Sequence, residues 1–341
     1  MTARPTTDRI FRLYRLHQTP AKSPQMQKED KRQIDLWTRF LGADFDLSKL
    51  SRREHDSFIR LRRSGEIDAR GHVVAKADDR RPVGNRVVGK DVTFLRTICR
   101  WACDFREGSR LLLERDPTRG YELPTEKNPA RPVAADDRVD AIRKVYRSIT
   151  MRISRGSKQE TVESYLPEIF EIAVGTGRRI SAVLQLQQED LHLERTVQEP
   201  EGAIVWPADT DKMGKEWRCP VSAAVRRALE AALKKRQRLG HVGPGYLFPS
   251  PEDPQKPVSK YLASVWLRRA EKAAKLEPQK GGLWHPYRRL WASARKGLPD
   301  VDVMQASGWS SADALKRAYQ HPDSRTMLRV VEHRDELREV R

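Results

Sequence analysis

Apolar residues recur at intervals of three and four along most of this chain, the spacing of one buried face of an α-helix. Ile34, Trp37, Phe40 and Leu41 predict a helix over 28–41, closed by Gly42. Ser51-Arg52-Arg53-Glu54 is a capping box, in which a hydroxyl and a carboxylate satisfy free N–H groups at a helix start. Phe58, Ile59 and Leu61 supply the stripe behind it and Gly65 the stop. A third helix is expected over 90–105, with Val92, Leu95, Ile98, Cys99, Ala102 and Phe105 inward and Arg96 and Arg100 toward the other side. The stretch 66–89 has scattered charge and no period, and reads as a solvated loop.

Further along, helical patterns fall at 136–149, 161–174, 180–186, 223–239 and 260–276. Between two of them, 191–193, 203–206 and 217–221 read as short strands with polar turns. The expected fold class is therefore mainly α with a small antiparallel sheet (α+β), in two domains. Residues 1–28 are basic, with an apolar patch at Ile10, Phe11, Leu13 and Tyr14, and read as an arm that orders on a partner. Residues 29–108 form a helical domain. Four prolines in an aperiodic stretch make 109–133 a linker, with the boundary near 130. A second domain spans 134–322. The tail, 323–341, carries Met327, Leu328, Val331 and Leu337 among many charges. It predicts a short amphipathic helix that packs on its own domain or docks on a neighbouring subunit.

Charge changes this picture from a generic helical protein to one that seeks a polyanion. Across 341 residues, 66 Lys and Arg stand against 47 Asp and Glu, a formal charge of +19. Each phosphate neutralised by such a surface releases counterions and adds salt-dependent affinity. No long apolar run or lipidation signal points to a membrane. Cys99, Cys103 and Cys219 are an odd set without a secretory leader, which suggests a reducing, intracellular compartment. Cys99 and Cys103 fit a helix core better than a metal half-site, and the histidines show no metal-ligand spacing.

The chemistry concentrates in short motifs of the second domain. Thr176-Gly177-Arg178-Arg179-Ile180-Ser181 places an arginine at a helix start. About a hundred residues later come His285-Pro286-Tyr287-Arg288, then Gly308-Trp309, then Arg317-Ala318-Tyr319-Gln320-His321. Planar guanidinium forks hold two nonbridging phosphate oxygens and stay charged, an imidazole exchanges a proton, and a phenol serves as nucleophile.

In order and spacing these segments resemble the tyrosine recombinase (phage integrase) family. The resemblance covers 173–321 closely and the N-terminal half only through its helices. It implies that the first domain is a core-binding domain gripping DNA, with Arg96 and Arg100 as DNA contacts, and that the second is catalytic. By resemblance Arg179 and Arg288 are the two family arginines, His285 is the acid/base or phosphate-binding residue, and Tyr319 is the nucleophile. Trp309 stands where many members have a second histidine; its indole N–H donates a hydrogen bond but accepts no proton. The general acid is expected in the turn Asp211-Lys212-Met213-Gly214-Lys215, with Lys212 fitting better than Lys215. Tyr287, the competing phenol, is expected to point into the domain. Two departures stand out: ten residues separate Trp309 from Tyr319, one more than in many members, and Ala182 replaces a common Glu.

The implied activity is site-specific recombination, cleaving and rejoining duplex DNA through a 3′-phosphotyrosine, with a tetramer on DNA, no metal and no cofactor. A directionality factor could assist it in integration or excision. The implied setting is the bacterial cytoplasm, at the nucleoid, and the implied source a mobile element. Type IB topoisomerase-like relaxation and a DNA-binding regulator that lost catalysis are the competing readings.

Overall fold

The computed structural model describes residues 4–125, 131–155, 158–210, 214–279, 282–321 and 327–328. The chain divides into two compact units, 1–129 and 130–341.

The first unit is built on four helices: α1 (Thr7–His17), α2 (Pro24–Leu41), α3 (Arg52–Ser64) and α4 (Asn85–Asp104). Ser51 and Glu54 form the expected capping box at the start of α3, and Gly65 ends it in the left-handed region. The first 28 residues differ from the expected arm. Ile10, Phe11 and Tyr14 of α1 are buried in the same core as Leu36, Trp37, Phe58 and Leu95, so the patch belongs to this unit's interior. Trp37 stacks on Phe58 with centroids 3.8 Å apart. A two-residue hairpin, β1 (Arg106–Glu107) with β2 (Arg110–Leu111), follows α4. Leu112 and Leu113 then pack into the core, so the start of the expected linker is part of the folded unit. Within the expected loop, Ile67 is buried and bridges Val73, and α4 begins five residues before the predicted start.

One buried carboxylate ties three helices of this unit together. Asp91, on α4, is fully buried; Oδ1 accepts from Gln33 Nε2 (2.7 Å) and Arg32 Nη2 (3.1 Å) of α2, and Oδ2 from Arg62 Nε (3.1 Å) of α3. Arg62 is itself only 2% exposed.

The second unit opens with α5 (Asp136–Val145) and a hairpin, β3 (Thr150–Arg155) antiparallel to β4 (Lys158–Glu163). This hairpin replaces part of the helix expected over 161–174. Thr161 and Val162 pair across it with Arg152 and Met151, and Pro167, in the first turn of the next helix, fixes where helical geometry begins. Next come α6 (Leu166–Thr176) and α7 (Ile180–Leu184). A three-stranded antiparallel sheet follows, β5 (Leu191–His192), β6 (Ala203–Trp206) and β7 (Trp217–Pro220), with β6 central and Ile204 opposite Cys219. Helices α8 (Ala223–Arg238), α9 (Lys260–Ala273), α10 (His285–Ser293), α11 (Asp300–Ser307) and α12 (Ala312–Ala318) complete the unit. A core of Phe170, Ile172, Trp206, Leu229, Trp266 and Tyr287 joins the sheet to α6, α8, α9 and α10. A smaller cluster of Trp291, Val303, Trp309 and Leu315 joins α10 to α11 and α12. The expected tail helix lies outside the described residues except for Met327 and Leu328.

Removing the Asp91 carboxylate strands a buried guanidinium, a loss of about 3–5 kcal/mol for such a pair. Asp91→Ala should therefore lower the urea midpoint of the isolated first unit or of the full chain by that equivalent, and an unchanged midpoint would refute the role assigned to this network.

Candidate active site

Helix α10 starts at His285, with Pro286 in its first turn, and this start projects His285 and Arg288 three residues apart from one end of the helix. Arg288 is 2% exposed. Its Nη1 donates to the carbonyls of Gly177 and Ser307, the latter at 2.9 Å. Its Nε and Nη2 are buried and find no hydrogen-bond partner among the described residues. The guanidinium carbon lies 3.8 Å from the centre of the Trp309 ring system and 5.3 Å from that of Tyr319. Burial first, and then repulsion from Arg179, push its pKa down to about 9, which still leaves it charged at neutral pH.

The other arginines arrive from the turn between α6 and α7. Gly177 ends α6 with φ +64, and a Cβ there would stand 2.5 Å from Trp291, so both the conformation and the space require glycine. Arg178, nearly buried, donates from Nε to the Ala306 carbonyl (3.0 Å) and from Nη2 to the Gln305 carbonyl (2.9 Å) and Cys219 Sγ (3.1 Å), and lies over Trp206. Arg179 is half-buried and directs Nη1 at the Gly308 carbonyl (3.4 Å). Four consecutive carbonyls at the end of α11 therefore receive three guanidinium groups, at the negative pole of that helix.

Tyr319 caps the C-terminal end of α12 and is half-buried, its ring 5.0 Å from Trp309 and 6.4 Å from His285 between centroids. Trp309 is buried, stacks on Trp291 at 6.1 Å, and finds no partner for Nε1 among the described residues. His285 is exposed at the cleft, yet partial desolvation, and then the charges of Arg289, Arg288, Lys260 and Arg179, push its pKa down to about 4. The imidazole is thus neutral at physiological pH and has a lone pair free for a proton.

Arg179, Ser181, Lys260, His285 and Arg288 line one cleft, so the structure brings together Arg179, His285, Arg288, Trp309 and Tyr319. Lys212 lies outside the described residues, and Lys215, just beyond, is exposed. Tyr287 also lines the cleft, but it is 1% exposed, its hydroxyl is committed to Glu271 Oε1 (3.4 Å), and burial pushes its pKa up to about 12. Arg96 and Arg100 belong to the first unit; Arg96 is half-buried, and Arg100 is exposed with a loose 3.7 Å contact to Asp116. Sequence reasoning missed Lys260, whose only signal is its place at the start of α9 behind the Ser259 cap. It also missed Arg289, a buried cation beside His285 that donates to the Pro132 carbonyl. Among the described residues, no group of His, Cys, Asp and Glu could hold a metal ion, and no helix is long and apolar enough to cross a membrane.

The sequence profile of the phage integrase family matches residues 144–325, more than half of the chain. The chain belongs to the phage integrase family. It is accordingly a tyrosine-type recombinase, and the matched span contains every motif that meets in the cleft. The fold is similar to that of lambda integrase in a dimer bound to a COC′ core site (16% identity over 94% of this chain and 78% of that one, TM-score 0.64). It is also similar to the XerH site-specific recombinase bound to a palindromic difH substrate (14%, 96% and 94%, TM-score 0.67). A third likeness is the Tn1549 transposon integrase in complex with circular intermediate DNA (12%, 96% and 99%, TM-score 0.64). A comparison with curated protein sequences gives no match.

In this integrase-family site the depressed His285 pKa has a definite sign. Between about 4 and the ordinary value near 6.5 the unfolded chain binds the proton and the folded chain does not, so this group's contribution to stability is complete above about 6.5 and is lost as pH falls toward 4. The His285 ring resonances should titrate near 4 in the free protein, and Lys260→Gln should move that midpoint upward. A midpoint near 6.5 in the folded protein would contradict the cationic surroundings.

Proposed function

We propose that this recombinase cuts and rejoins duplex DNA at a specific site through a covalent phosphotyrosine at Tyr319. The observation that carries the reading is the buried Arg288 guanidinium beside the Tyr319 and Trp309 rings, two of whose donors have no hydrogen-bond acceptor within reach among the described residues. Buried donors without acceptors cost roughly 1–3 kcal/mol each, and a phosphate oxygen removes that cost. Arg288 and Arg179 hold the nonbridging oxygens of the scissile phosphate, and the Trp309 indole N–H adds a third donor. The Tyr319 oxygen attacks phosphorus, its proton passing to neutral His285. The bond from phosphorus to the 5′-oxygen breaks, and Lys212 protonates the departing oxygen. A 3′-phosphotyrosine and a free 5′-hydroxyl result. Attack by the 5′-hydroxyl of a partner strand reverses the step, and because the covalent link conserves the bond energy, no external energy source enters.

On this reading both units contact DNA, the first through the α4 surface that bears Arg96 and Arg100. Lambda integrase forms a tetramer on a Holliday junction, and we infer a tetramer on DNA here also. The setting is the bacterial cytoplasm, at the nucleoid, where an accessory directionality factor would bias a mobile element toward integration or excision.

A nicked suicide substrate, which loses the short strand after cleavage, tests the scheme. Wild type should accumulate a covalent adduct and Tyr319→Phe none. No wild-type adduct, or a persisting one in Tyr319→Phe, would overturn it, while relaxation of supercoils without exchange between sites would assign a topoisomerase instead. Lys212→Ala should slow cleavage about 10²–10⁴-fold, the usual span for a general acid. A 5′-bridging sulfur, which leaves without a proton, should restore its rate; rescue of Lys215→Ala instead would move the role to that residue.

A further inference from the structure

The nucleophile sits on a weakly anchored element. Helix α12 has seven residues, of which only Leu315 is buried, and a helix so short has little stability of its own. Its last turn closes when the N–H groups of Tyr319 and Gln320 both donate to the Leu315 carbonyl. The Tyr319 carbonyl, like the carbonyls of any last helical turn, has no partner within the helix, and the His321 N–H lies past its end. Both are taken by one side chain from another helix. Ser293, the last residue of α10, donates from Oγ to the Tyr319 carbonyl (3.1 Å) and accepts at the same oxygen from the His321 N–H (3.0 Å).

We propose that Ser293 is a positioning residue that holds Tyr319 in register with His285 and Arg288. The inference rests on Tyr319 being the nucleophile. All three partners of the reaction then hang from α10: His285 at its first residue, Arg288 one turn on, and the tyrosine backbone through the hydroxyl at its end. A hydroxyl suits the task because it donates and accepts at once. Its short stem leaves little play, so the phenol's position follows the helix that carries the imidazole and the guanidinium. Removing the clamp leaves every reacting group in place but widens the range of positions the phenol samples. Misplacement by about 1 Å is enough to cost on the order of 10²-fold in rate.

The experiment compares wild type, Ser293→Ala and Ser293→Thr on the nicked suicide substrate under single-turnover conditions, with DNA affinity and thermal midpoint measured on the same proteins. Ser293→Ala should form adduct about 10- to 100-fold more slowly at unchanged DNA affinity and midpoint. Ser293→Thr, which keeps a hydroxyl, should recover most of the rate. The 5′-bridging sulfur substrate should not rescue Ser293→Ala, because the defect lies in placement and not in proton supply. A wild-type rate for Ser293→Ala, failure of Ser293→Thr to recover, or a rate loss matched by lost affinity or a lowered midpoint would each overturn the proposal. Absence of any adduct in wild type would refute the phosphotyrosine reading itself, a separate result.

Discussion

Guanidinium groups held by backbone carbonyl dipoles set the terms for the second unit. The end of α11 and the Gly177 turn supply oxygen after oxygen to Arg178, Arg179 and Arg288. A carbonyl fixes a guanidinium in space while leaving its full charge in place, whereas an ion pair would fix it and cancel it. Desolvation of the charged forms first, and then repulsion among the neighbouring cations, lower the Arg288 and His285 pKa values. The surrounding fold serves this arrangement: the tight Gly177 turn lets Trp291 approach, Trp291 stacks on Trp309, and Trp309 covers Arg288.

Elsewhere several buried charges of the same protein meet a carboxylate. Lys235 of α8 meets Glu168 of α6 at 2.8 Å and also donates to the Ser164 carbonyl, and Arg138 of α5 meets Glu271 of α9 at 2.7 Å. Asp91 does the same for the first unit with two arginines and a glutamine. These pairs join helices and leave no field for a substrate. Carbonyl support alone does not mark a site, since the buried Arg236 of α8 is held by the Tyr246 and Pro244 carbonyls; the cleft between α7 and α10 differs in gathering several cations at one place.

Much of this was legible in the sequence because the family motifs sit at helix ends. Arg179 precedes α7, His285 opens α10 and Tyr319 closes α12, so the residues named by the resemblance also lie where local signals of start and stop can be read. What was hidden has physical reasons. Backbone carbonyls carry no residue identity, so nothing in the text of the chain announces that Ser307 and Gly308 hold the arginines. Ile10, Phe11 and Tyr14 looked like an arm because the core they fill is assembled from helices up to ninety residues away. Only the end of β4 falls in the helix expected over 161–174, because Thr161 and Val162 adjoin an apolar run that turns helical only from Leu166 onward.

The Arg288 donors without acceptors have a last consequence, for the thermodynamics of the whole molecule. Mutual repulsion among the cleft cations strains the empty fold, and an arriving polyanion relaxes it. Nucleic acid therefore acts as a folding ligand as well as a reactant, favouring the native ensemble by mass action in proportion to how tightly it is held. Ionic strength bears mainly on the bound state, since added salt loosens the hold on the duplex while a buried guanidinium is little screened.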